Sequence, residues 1–439
     1  TQGYSSAASD VYKRQVGNKA YELVCELFPI CRSITGNGVR QTLEVIKREL
    51  PELTLHEVPS GTKVFDWKVP KEWNINNAYI ETLDGRKIID FKNTNLHVLG
   101  YSLPMDKIVT KEELLSMVYT LPAQPDLIPY VTSYYKERSG FCMSENQKRT
   151  LTDERYHVVI DSTLENGYLT YGELLIPGRS DKEIFLSTYI CHPSMANNEL
   201  SGPAVVVALA KKILANAIRN YSYRIIFIPE TIGSITYLSE HLSHMKNYII
   251  AGYNVSCVGD DRTYSYIESP YANTLADRVA QNVLHFHYPK YKRYSFLNRG
   301  SDERQYCSPL VRLPLCAICR SKYEEYPEYH TSADDLSLVT PSGLQGAYDV
   351  YSKCLDFIEY NGYYQVTTYC EPQLGKRGLY PTISIKGAIN NTRKMTAFIA
   401  YADGEHDLID ISNRINVPIE ELIPIVKRLM DTGLIIKKK

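Results

Sequence analysis

The chain has 439 residues, which is too long for one ordinary hydrophobic core and therefore predicts two or three domains. Hydrophobic residues make up 44% of the chain and charged residues 23%, a balance typical of globular proteins and not of disordered ones. The formal net charge is -1, so we expect no general attraction to nucleic acid or to an anionic membrane surface.

The cysteine pattern and the hydropathy favour a cytoplasmic protein without a membrane partner. The close cysteine pair, Cys316 and Cys319, lies in an apolar run without a second pair at zinc-finger spacing, which predicts buried thiols. We recognise neither a signal peptide nor an apolar segment long enough to span a bilayer. The opening segment, 1–15, has no apolar period and is interpreted as a disordered or non-native tail.

The next segments predict helices and then a change to β-structure. The stretches "AYELVCELF" and "VRQTLEVIKREL" carry apolar residues at helical spacing. From about 53 to 101 the chain has short β-type runs broken by proline, glycine and asparagine, with a hairpin signal at Asp84-Gly85. Both tryptophans, Trp67 and Trp73, lie in this part. The pattern predicts a small β-rich module with its own core.

We expect this module to be nested inside a larger domain. The nested domain is predicted over 56–140, and the surrounding domain over 16–55 and 141–368. Thr110 is followed three residues later by Glu113, which is the signature of a capping box and predicts that a helix begins there.

From 156 onward the sequence predicts strands that alternate with helices. The two alternating runs on either side of Glu165-Asn166-Gly167 are interpreted as a hairpin. The apolar runs "EIFLSTYI", "SYRIIFIPE", "IIAGYNVSCVG" and "LPLCAIC" follow, separated by helical patterns. This alternation predicts an α/β domain with a mixed, mostly parallel sheet and helices on both faces. Ligands of such sheets bind beyond the carboxyl ends of the strands.

The last segment, 369–439, has the pattern of a winged helix-turn-helix domain. The stretches "RKMTAFIAYAD", "LIDISNRIN" and "PIEELIPIVKRLMDTG" are amphipathic, and "LIIKKK" predicts a terminal strand. A tight turn at 416–418 joins the second and third helices.

The charge of the third of these helices is nearly balanced. Its charged residues are Glu420, Glu421, Asp431, Lys427 and Arg428. A helix that reads DNA needs outward basic or amide side chains, so nucleic acid is not the expected partner. A packing or dimerisation role for the broad apolar face is favoured, which leaves a homo-oligomer open.

Polar side chains gather after successive strands of the predicted α/β domain. They are His192, Glu230, Asp260 with Asp261, Asp302, Arg304 and His330. Because the strands share one rim of the sheet, these side chains are expected to converge. Imidazole and carboxylate groups are ligands that zinc accepts, and a carboxylate beside the metal can act as a general base.

Each of these residues also has an ordinary structural interpretation. A histidine at a strand end more often hydrogen-bonds within its loop than binds a metal. Glu230 can favour the start of the following helix, and Asp260 can form a turn. The joint pattern nevertheless favours a functional site.

Longer motifs carry a resemblance to known families. The stretches "HPSMANNELSG", "PETIGS" and "YHTSADD", in this order, resemble zinc aminopeptidases of the M28 type. The stretches "FPICRSITGNGVRQTL" and "GTKVFDWKVPKEW", together with "YHTSADD", resemble a bacterial family of aminopeptidase-like proteins, DUF4910, with a nested DUF2172 domain and a C-terminal winged helix. The resemblance covers nearly the whole chain after the tail and implies a link with polysaccharide biosynthesis.

The resemblance implies a role for three residues. His192 matches the first metal-binding histidine of the M28 pattern, and His330 matches the last. Glu230 matches the general-base glutamate when Gly233 is aligned with the glycine of the motif. We therefore expect His192 and His330 to share a zinc ion, with ring nitrogens roughly 4 Å apart.

Three departures from the M28 pattern bear on the metal site. The bridging aspartate falls on Asn198, so that Glu199 would have to turn inward to replace it. The second glutamate of the pair falls on Thr231. The remaining metal aspartate has no clean match, and Asp260 is the nearest candidate. An amide bridges two cations poorly, so one zinc ion is favoured over two.

Further residues are candidates for contact with the substrate, which the resemblance implies is a small peptide or an amide-bearing sugar. The candidates are Asp302, Arg304, Tyr329, Arg32 and Arg40. Arg32 and Arg40 flank "SITGNG", a stretch that could form an anion nest, although a plain loop between helices is the commoner outcome. Tyrosines of "TSYYKERSGF" could line the same cleft, although core tyrosines are commoner.

Two functions remain open from the sequence. The first is a zinc-dependent, aminopeptidase-like hydrolase of an amide bond, which His192, Glu230 and His330 favour. The alternative is a catalytically degenerate peptidase scaffold that binds or regulates through its winged helix, which Asn198 and Thr231 favour. The metal content of the purified protein would separate the two.

Overall fold

The computed structural model of the chain describes residues 2–379 and 388–438. The expected tail, 1–15, lies largely outside the part whose side chains are described, and it stays a prediction. Residues 380–387 of the C-terminal segment also lie outside the described residues. No helix in the described ranges is long and apolar enough to cross a bilayer.

The helices vary widely in length. They are α1 (Gln2–Leu27), α2 (Asn37–Glu49), α3 (Lys111–Ser116), α4 (Glu145–Arg149), α5 (Ser201–Ala215), α6 (Ile232–Tyr248), α7 (Leu275–His287), α8 (Glu303–Tyr306), α9 (Pro341–Tyr360), α10 (Ala388–Tyr401), α11 (Leu408–Ile415) and α12 (Ile419–Asp431). A single π-helical turn, Ala196–Leu200, precedes α5.

The strands are mostly short. They are β1 (Thr54–Pro59), β2 (Lys63–Val64), β3 (Trp67–Lys68), β4 (Glu72–Thr82), β5 (Lys87–Asp90), β6 (Met105–Thr110), β7 (Val118–Tyr119), β8 (Phe141–Cys142), β9 (Arg155–Glu165), β10 (Tyr168–Ile176), β11 (Glu183–Tyr189), β12 (Ser222–Ile228), β13 (Ile249–Asn254), β14 (Ser265–Ile267), β15 (Lys292–Tyr294), β16 (Leu315–Cys319), β17 (Tyr363–Val366), β18 (Asp403–Asp407) and β19 (Ile435–Lys437).

An eight-stranded mixed sheet forms the centre of the α/β part. Its strand order is β1-β10-β12-β11-β13-β16-β14-β15. The four central strands β12, β11, β13 and β16 run parallel, whereas β10 and β14 join them in the antiparallel sense. Every side chain of β11 is buried, as its continuous apolar run predicts for a strand covered on both faces. The predicted α/β fold class with a mixed sheet is confirmed.

A separate four-stranded antiparallel sheet has the order β5-β4-β9-β6. The turn between β4 and β5 contains Asp84 and Gly85, and Gly85 has a φ of 87°, so the predicted hairpin is confirmed. The capping box at Thr110 and Glu113 is also present at the start of α3.

The predicted hairpin around Glu165-Asn166-Gly167 is wrong. The chain does turn there, but β9 pairs with β4 and β6 in the small sheet, while β10 pairs with β1 and β12 in the large one. Alternation along a strand shows only that one face is buried, and it does not identify the pairing partner. The small sheet thus takes a strand from beyond residue 140.

The chain divides into two compact units. The first comprises Thr1–Tyr271 with Lys292–Asp349, and the second Ala272–Tyr291 with Val350–Lys439. The first unit contains both the large and the small sheet, and the expected separation of 56–140 as a domain of its own stays a prediction.

The second unit contains a helix-turn-helix and a three-stranded sheet, β18-β17-β19. Asn416 has a φ of 51° in the tight turn between α11 and α12, where the sequence placed it. Apolar side chains of α12 form part of the core of this unit, namely Ile419, Leu422, Ile425, Val426 and Leu429.

Candidate functional site

The loops that follow β11 and β12 leave the sheet at the same edge. The two strands are parallel neighbours whose last residues, Tyr189 and Ile228, are paired. His192 lies three residues after the end of β11, and Glu230 two residues after the end of β12. Parallel pairing therefore brings these two side chains together, as expected from the sequence.

A cavity of about 330 Å³ opens at this edge, which is a volume typical of a small-molecule site. Its lining combines aromatic, hydroxyl-bearing and titratable side chains. The lining residues are Ile34, Trp67, Tyr130, Thr132, Tyr134, Tyr135, Cys191, His192, Glu230, Thr231, Ile232 and His330. Three of the predicted site residues, His192, Glu230 and His330, thus share one cavity.

The two ring nitrogens of His192 contact different carboxylates. Nδ1 lies 2.7 Å from Oε2 of Glu199, and Nε2 lies 3.7 Å from Oε2 of Glu230. A carboxylate hydrogen-bonded to one nitrogen fixes the tautomer and leaves the lone pair of the other nitrogen for a metal. Burial opposes protonation of His192, but the neighbouring Cys191 and Glu199 outweigh burial and raise the pKa of the ring above its ordinary value.

The π-helical turn before α5 explains why Glu199 faces His192. A π-turn adds one residue to a helical turn, which shifts the side-chain register by one position. Glu199 is fully buried against His192, whereas Asn198 donates from Nδ2 to the hydroxyl oxygen of Tyr189, 3.2 Å away. Oδ1 of Asn198 is buried without a hydrogen-bond partner among the described residues. Glu199 therefore points inward but contacts Nδ1 of His192, and its replacement of a bridging aspartate stays a prediction.

His330 lines the same cavity as His192 and lies beside its ring. Its ring centre is 5.4 Å from that of His192, and its buried Nε2 atom has no hydrogen-bond partner among the described residues. Tyr329 stacks on the ring at 3.9 Å between centres. Burial, and then the nearby His192, lower the pKa of His330 to about 3, so the imidazole is neutral at physiological pH.

The distances at His192 and His330 fit a metal ion between the two rings. Two imidazoles bound to one tetrahedral zinc, each at about 2.1 Å, have ring centres about 5 Å apart. The 5.4 Å observed is close to this value, and the orphaned Nε2 of His330 is a donor atom without another partner. The separation of the His192 and His330 rings is therefore compatible with a shared zinc ion, and their sharing one stays a prediction.

A second set of donor atoms lies on the other side of His192. Cys191 Sγ, His192 and a carboxylate oxygen of Glu199 lie within 4.8 Å of one another. We favour the Nε2 side for the metal, because Nδ1 of His192 is already hydrogen-bonded to Glu199. Burial also raises the pKa of the Cys191 thiol to about 12, which opposes the thiolate that zinc requires.

The loop after β12 is held in the conformation that directs Glu230 into the cavity. Thr231 has a φ of 62°, a strained value for a β-branched residue. Its backbone N–H donates to Oδ1 of Asp302 at 2.8 Å, and the hydroxyl of Ser234 donates to the same oxygen at 2.8 Å. Burial raises the pKa of Glu230 above its ordinary value, which suits a general base.

Asp302 and Arg304 both hydrogen-bond to Thr231 in this loop. Asp302 is fully buried, and burial followed by the nearby Glu230 raises its pKa to about 8. It therefore positions Thr231 and does not line the cavity, where the sequence had placed it as a substrate contact. Nη2 of Arg304 donates to the hydroxyl oxygen of Thr231 at 3.2 Å. Arg304 is exposed and reaches the cavity through Thr231.

Two arginines predicted to bind substrate have other partners. Arg32 is buried, and its Nε donates to the backbone oxygen of His192 at 3.1 Å and lies 4.0 Å from Oε1 of Glu199. Arg40 pairs with Glu72 through two nitrogens, one of them at 3.1 Å. Arg32 thus supports the site from beneath, and Arg40 joins α2 to the small sheet. The sequence could not distinguish these partners from a substrate.

Asp260 is not part of the group around His192. Its carboxylate accepts hydrogen bonds from the backbone and hydroxyl of Ser321, each at 2.9 Å, and from Nδ2 of Asn197 at 3.2 Å. The N–H of Arg262 donates to it as well, at 2.9 Å. These four bonds make Asp260 a buried anchor for loops, which is the turn-like role that the sequence left open.

Sequence reasoning missed some of the residues that line the cavity. Cys191 and Tyr130 were not singled out, and Trp67 was noted only as part of the small β-module. Tyr134 and Tyr135, for which a core position was the favoured interpretation, do line the cavity. The available signal was the density of aromatic residues in "YVTSYY", which alone does not tell a core from a cleft.

Comparison with known proteins identifies the family. A family profile described as "Domain of unknown function (DUF4910)" matches residues 21–361, and a winged helix-turn-helix profile, HTH_47, matches residues 361–437. A Clostridium acetobutylicum protein with the name "Putative polysaccharide biosynthesis protein with aminopeptidase-like domain" is 46% identical over 401 residues, which is 91% of each chain.

Solved structures show the same fold. A crystal structure described as a "putative peptidase" from Clostridium acetobutylicum is 43% identical, covers 97% of each chain and has a TM-score of 0.92. BSAP, a zinc aminopeptidase from Bacillus subtilis, is 11% identical and has a TM-score of 0.54, with 78% of this chain and 94% of that chain covered.

The chain thus has the aminopeptidase fold of the M28 type. The chain belongs to the DUF4910 family and carries a winged helix-turn-helix at its C-terminal end. The resemblance of the nested segment to DUF2172 stays a prediction.

Proposed function

We propose that this protein is a zinc-dependent hydrolase of amide bonds, with one zinc ion held by His192 and His330 and with Glu230 as the general base. The orphaned, buried Nε2 of His330, beside a His192 ring whose Nε2 faces the same cavity, carries the proposal. A buried nitrogen atom without a protein partner is available to bind a ligand.

The chain prepares the two histidines for this role. Glu199 holds the proton on Nδ1 of His192 and leaves Nε2 with its lone pair. The low pKa of His330 keeps that ring neutral, whereas the raised pKa of His192 means that a bound metal must displace a proton from its Nε2. When zinc is bound, it polarises the amide carbonyl and lowers the pKa of water.

Glu230 moves the proton. Its raised pKa makes the carboxylate a stronger base, which takes a proton from the attacking water and returns it to the departing amine. Asp302 keeps the loop of Glu230 in place through Thr231, so that the carboxylate does not rotate away from the cavity.

The substrate class is proposed from the name of a relative. The name of the Clostridium relative links that protein to polysaccharide biosynthesis. We propose that the substrate is an amide on a small peptide or on a sugar. The alternative function is that of a catalytically degenerate scaffold that binds or regulates.

The zinc content of the full chain, purified without added chelator, tests this function. We expect near-stoichiometric zinc by plasma emission spectroscopy in the wild type and its loss in His330→Ala, because one of two imidazole ligands is removed. His285→Ala, at an exposed histidine of α7, is the matched control and should keep the metal. A wild-type protein that holds no zinc when zinc is supplied would instead favour the binding alternative.

A further inference from the structure

We propose that the cavity selects a neutral, hydroxyl-rich amide, namely an N-acylated amino sugar within an oligosaccharide, through a stacking platform formed by Trp67 and Tyr135. This inference relies on the proposed function for the reaction, but the binding step needs neither zinc nor turnover. It chooses between the two substrate classes that the proposed function leaves open.

The platform consists of two large aromatic side chains exposed at the cavity. Trp67 is 40% exposed and Tyr135 is 57% exposed, and both line the cavity. Their ring centres are 5.5 Å apart in an edge-to-face arrangement. Exposed aromatic rings keep apolar surface in water, so a ligand that covers them gains the free energy of that burial.

A sugar ring has the shape that such a platform covers. Its axial C–H bonds form an apolar face, while its hydroxyl groups point outward from the ring edge. The negative face of an aromatic ring attracts the weakly positive C–H hydrogens, and the hydroxyl groups remain free to hydrogen-bond. Trp67 is held for this contact by the β2–β3 ribbon, where it pairs with the buried Val64.

Hydroxyl groups of the protein surround the rest of the cavity. The side chains that bring them are Tyr130, Thr132, Tyr134 and Thr231. The hydroxyls of Tyr130 and Tyr134 are 2.7 Å apart, so one of them donates to the other and the second has its hydrogen available. An arginine side chain donates hydrogen bonds but does not accept them. Arg304 therefore occupies the hydroxyl oxygen of Thr231 and leaves the hydroxyl hydrogen for a ligand. Neutral groups that both donate and accept match the hydroxyls and the amide of a sugar.

The charges of the cavity argue against a free peptide. Among the described residues that line it, Glu230 is the one carboxylate, and neither lysine nor arginine is present. The ammonium and carboxylate ends of a small peptide need partners of opposite charge when they are desolvated. Glu230 has the role of general base, so this lining offers no second carboxylate to compensate the ammonium end of a peptide.

The two tryptophans allow a direct measurement of binding. Trp73 is buried, with Nε1 donating to the backbone oxygen of Ser102 at 2.8 Å, so only Trp67 should respond to a ligand in the cavity. We expect tri-N-acetylchitotriose to cause a saturable change in the fluorescence of the full chain. The change should vanish in Trp67→Phe.

Calorimetry then quantifies the platform. Tyr135→Ala should weaken the binding of tri-N-acetylchitotriose at least about tenfold, and Tyr168→Ala, at an exposed tyrosine outside the cavity, should leave it unchanged. Titrations in a Glu230→Gln background prevent hydrolysis of the probe during the measurement. Maltotriose, which lacks the amide, should bind more weakly, and trialanine should not bind at up to about 1 mM, the weak end of specific affinity.

The outcomes separate this inference from the proposed function. Binding of trialanine as tight as that of the sugar, or no response to tri-N-acetylchitotriose, would overturn the inference even if the zinc content were stoichiometric. Sugar binding through Trp67 in a protein that holds no zinc would support the inference and refute the hydrolase.

Discussion

At the scale of single residues, His192 organises the site because each of its ring nitrogens has a separate carboxylate. Glu199 contacts Nδ1 from beneath, and Glu230 faces Nε2 from the cavity. Arg32 adds a hydrogen bond to the backbone oxygen of the same histidine. The ring is therefore fixed in orientation before any ligand arrives, which reduces the entropy cost of binding.

Replacement of Glu230 by glutamine tests its role as the general base. Glutamine keeps the shape of the side chain but does not accept the proton, so we expect amide hydrolysis to fall by about 10²–10⁴-fold. The zinc content should stay the same, which metal analysis of the variant protein measures.

Glu52→Gln is the matched control for this substitution. Glu52 is exposed and lies outside the cavity, so its replacement should leave both turnover and zinc content unchanged. Loss of zinc in Glu230→Gln would identify Glu230 as a metal ligand, and the role of base would then be wrong.

At the scale of elements, a buried arginine joins three neighbouring strands of the large sheet. Arg224 on β12 lies 2.7 Å from Glu173 on β10 and 2.7 Å from Glu183 on β11. Nε2 of His244 on α6 lies 2.7 Å from Glu183 as well. Burial favours the neutral form of Glu183, but the hydrogen bonds from Arg224 and His244 outweigh it and lower its pKa.

Arg224→Met should lower the free energy of unfolding by about 3–5 kcal/mol at pH 7, because two buried carboxylates lose their cation. The difference from the wild type should shrink as the pH falls through the lowered pKa of Glu183. A carboxyl group with a lowered pKa stabilises the fold above its ordinary value of 4.5, and this stabilisation is lost on acidification. Urea unfolding at a series of pH values measures both effects.

Arg155→Met serves as the control for this substitution. Arg155 is exposed at the start of β9, and its replacement should change the stability by no more than about 0.5 kcal/mol at any pH. A loss in Arg224→Met that stayed constant down to pH 3 would show that packing, and not charge, accounts for the effect.

At the scale of the whole molecule, two basic side chains of α12 make contacts within the second unit. On α12, Nη2 of Arg428 donates to the backbone oxygen of Gly378 at 2.7 Å, and Nζ of Lys427 lies 5.0 Å above the ring of Tyr360. Glu420 in the first turn of α12 lies 2.7 Å from Nε2 of His287. A helix with these contacts has few cationic groups left for phosphate or base contacts.

We therefore expect the full chain to show no sequence-selective binding to duplex DNA. Fluorescence anisotropy with labelled duplexes of different sequence, at low salt where phosphate attraction is strongest, measures this. Any residual binding should be equal for all duplexes and should vanish as salt is added. Tight binding to one sequence, weakened by Lys427→Glu, would contradict the prediction and favour the regulatory alternative.

The sequence by itself determined the order of the elements and the general location of the site. The spacing of apolar residues predicted the α/β sheet and the helix-turn-helix. A helix with one buried face has apolar residues at helical spacing, and a fully buried strand is a continuous apolar run. The strand-end positions of His192 and Glu230 were predicted for the same reason, since the ends of parallel strands share one edge.

Only the tertiary structure decided which groups meet across the chain. A π-turn brought Glu199 against Nδ1 of His192, and the sequence has no signal for one extra residue in a helical turn. Strand alternation did not reveal that β9 and β10 belong to different sheets. Arg32 and Asp302 were predicted as substrate contacts but are buried supports. The residue type of a polar side chain does not reveal whether it contacts water, a ligand or another residue. Its partner is determined by the packing of the folded chain.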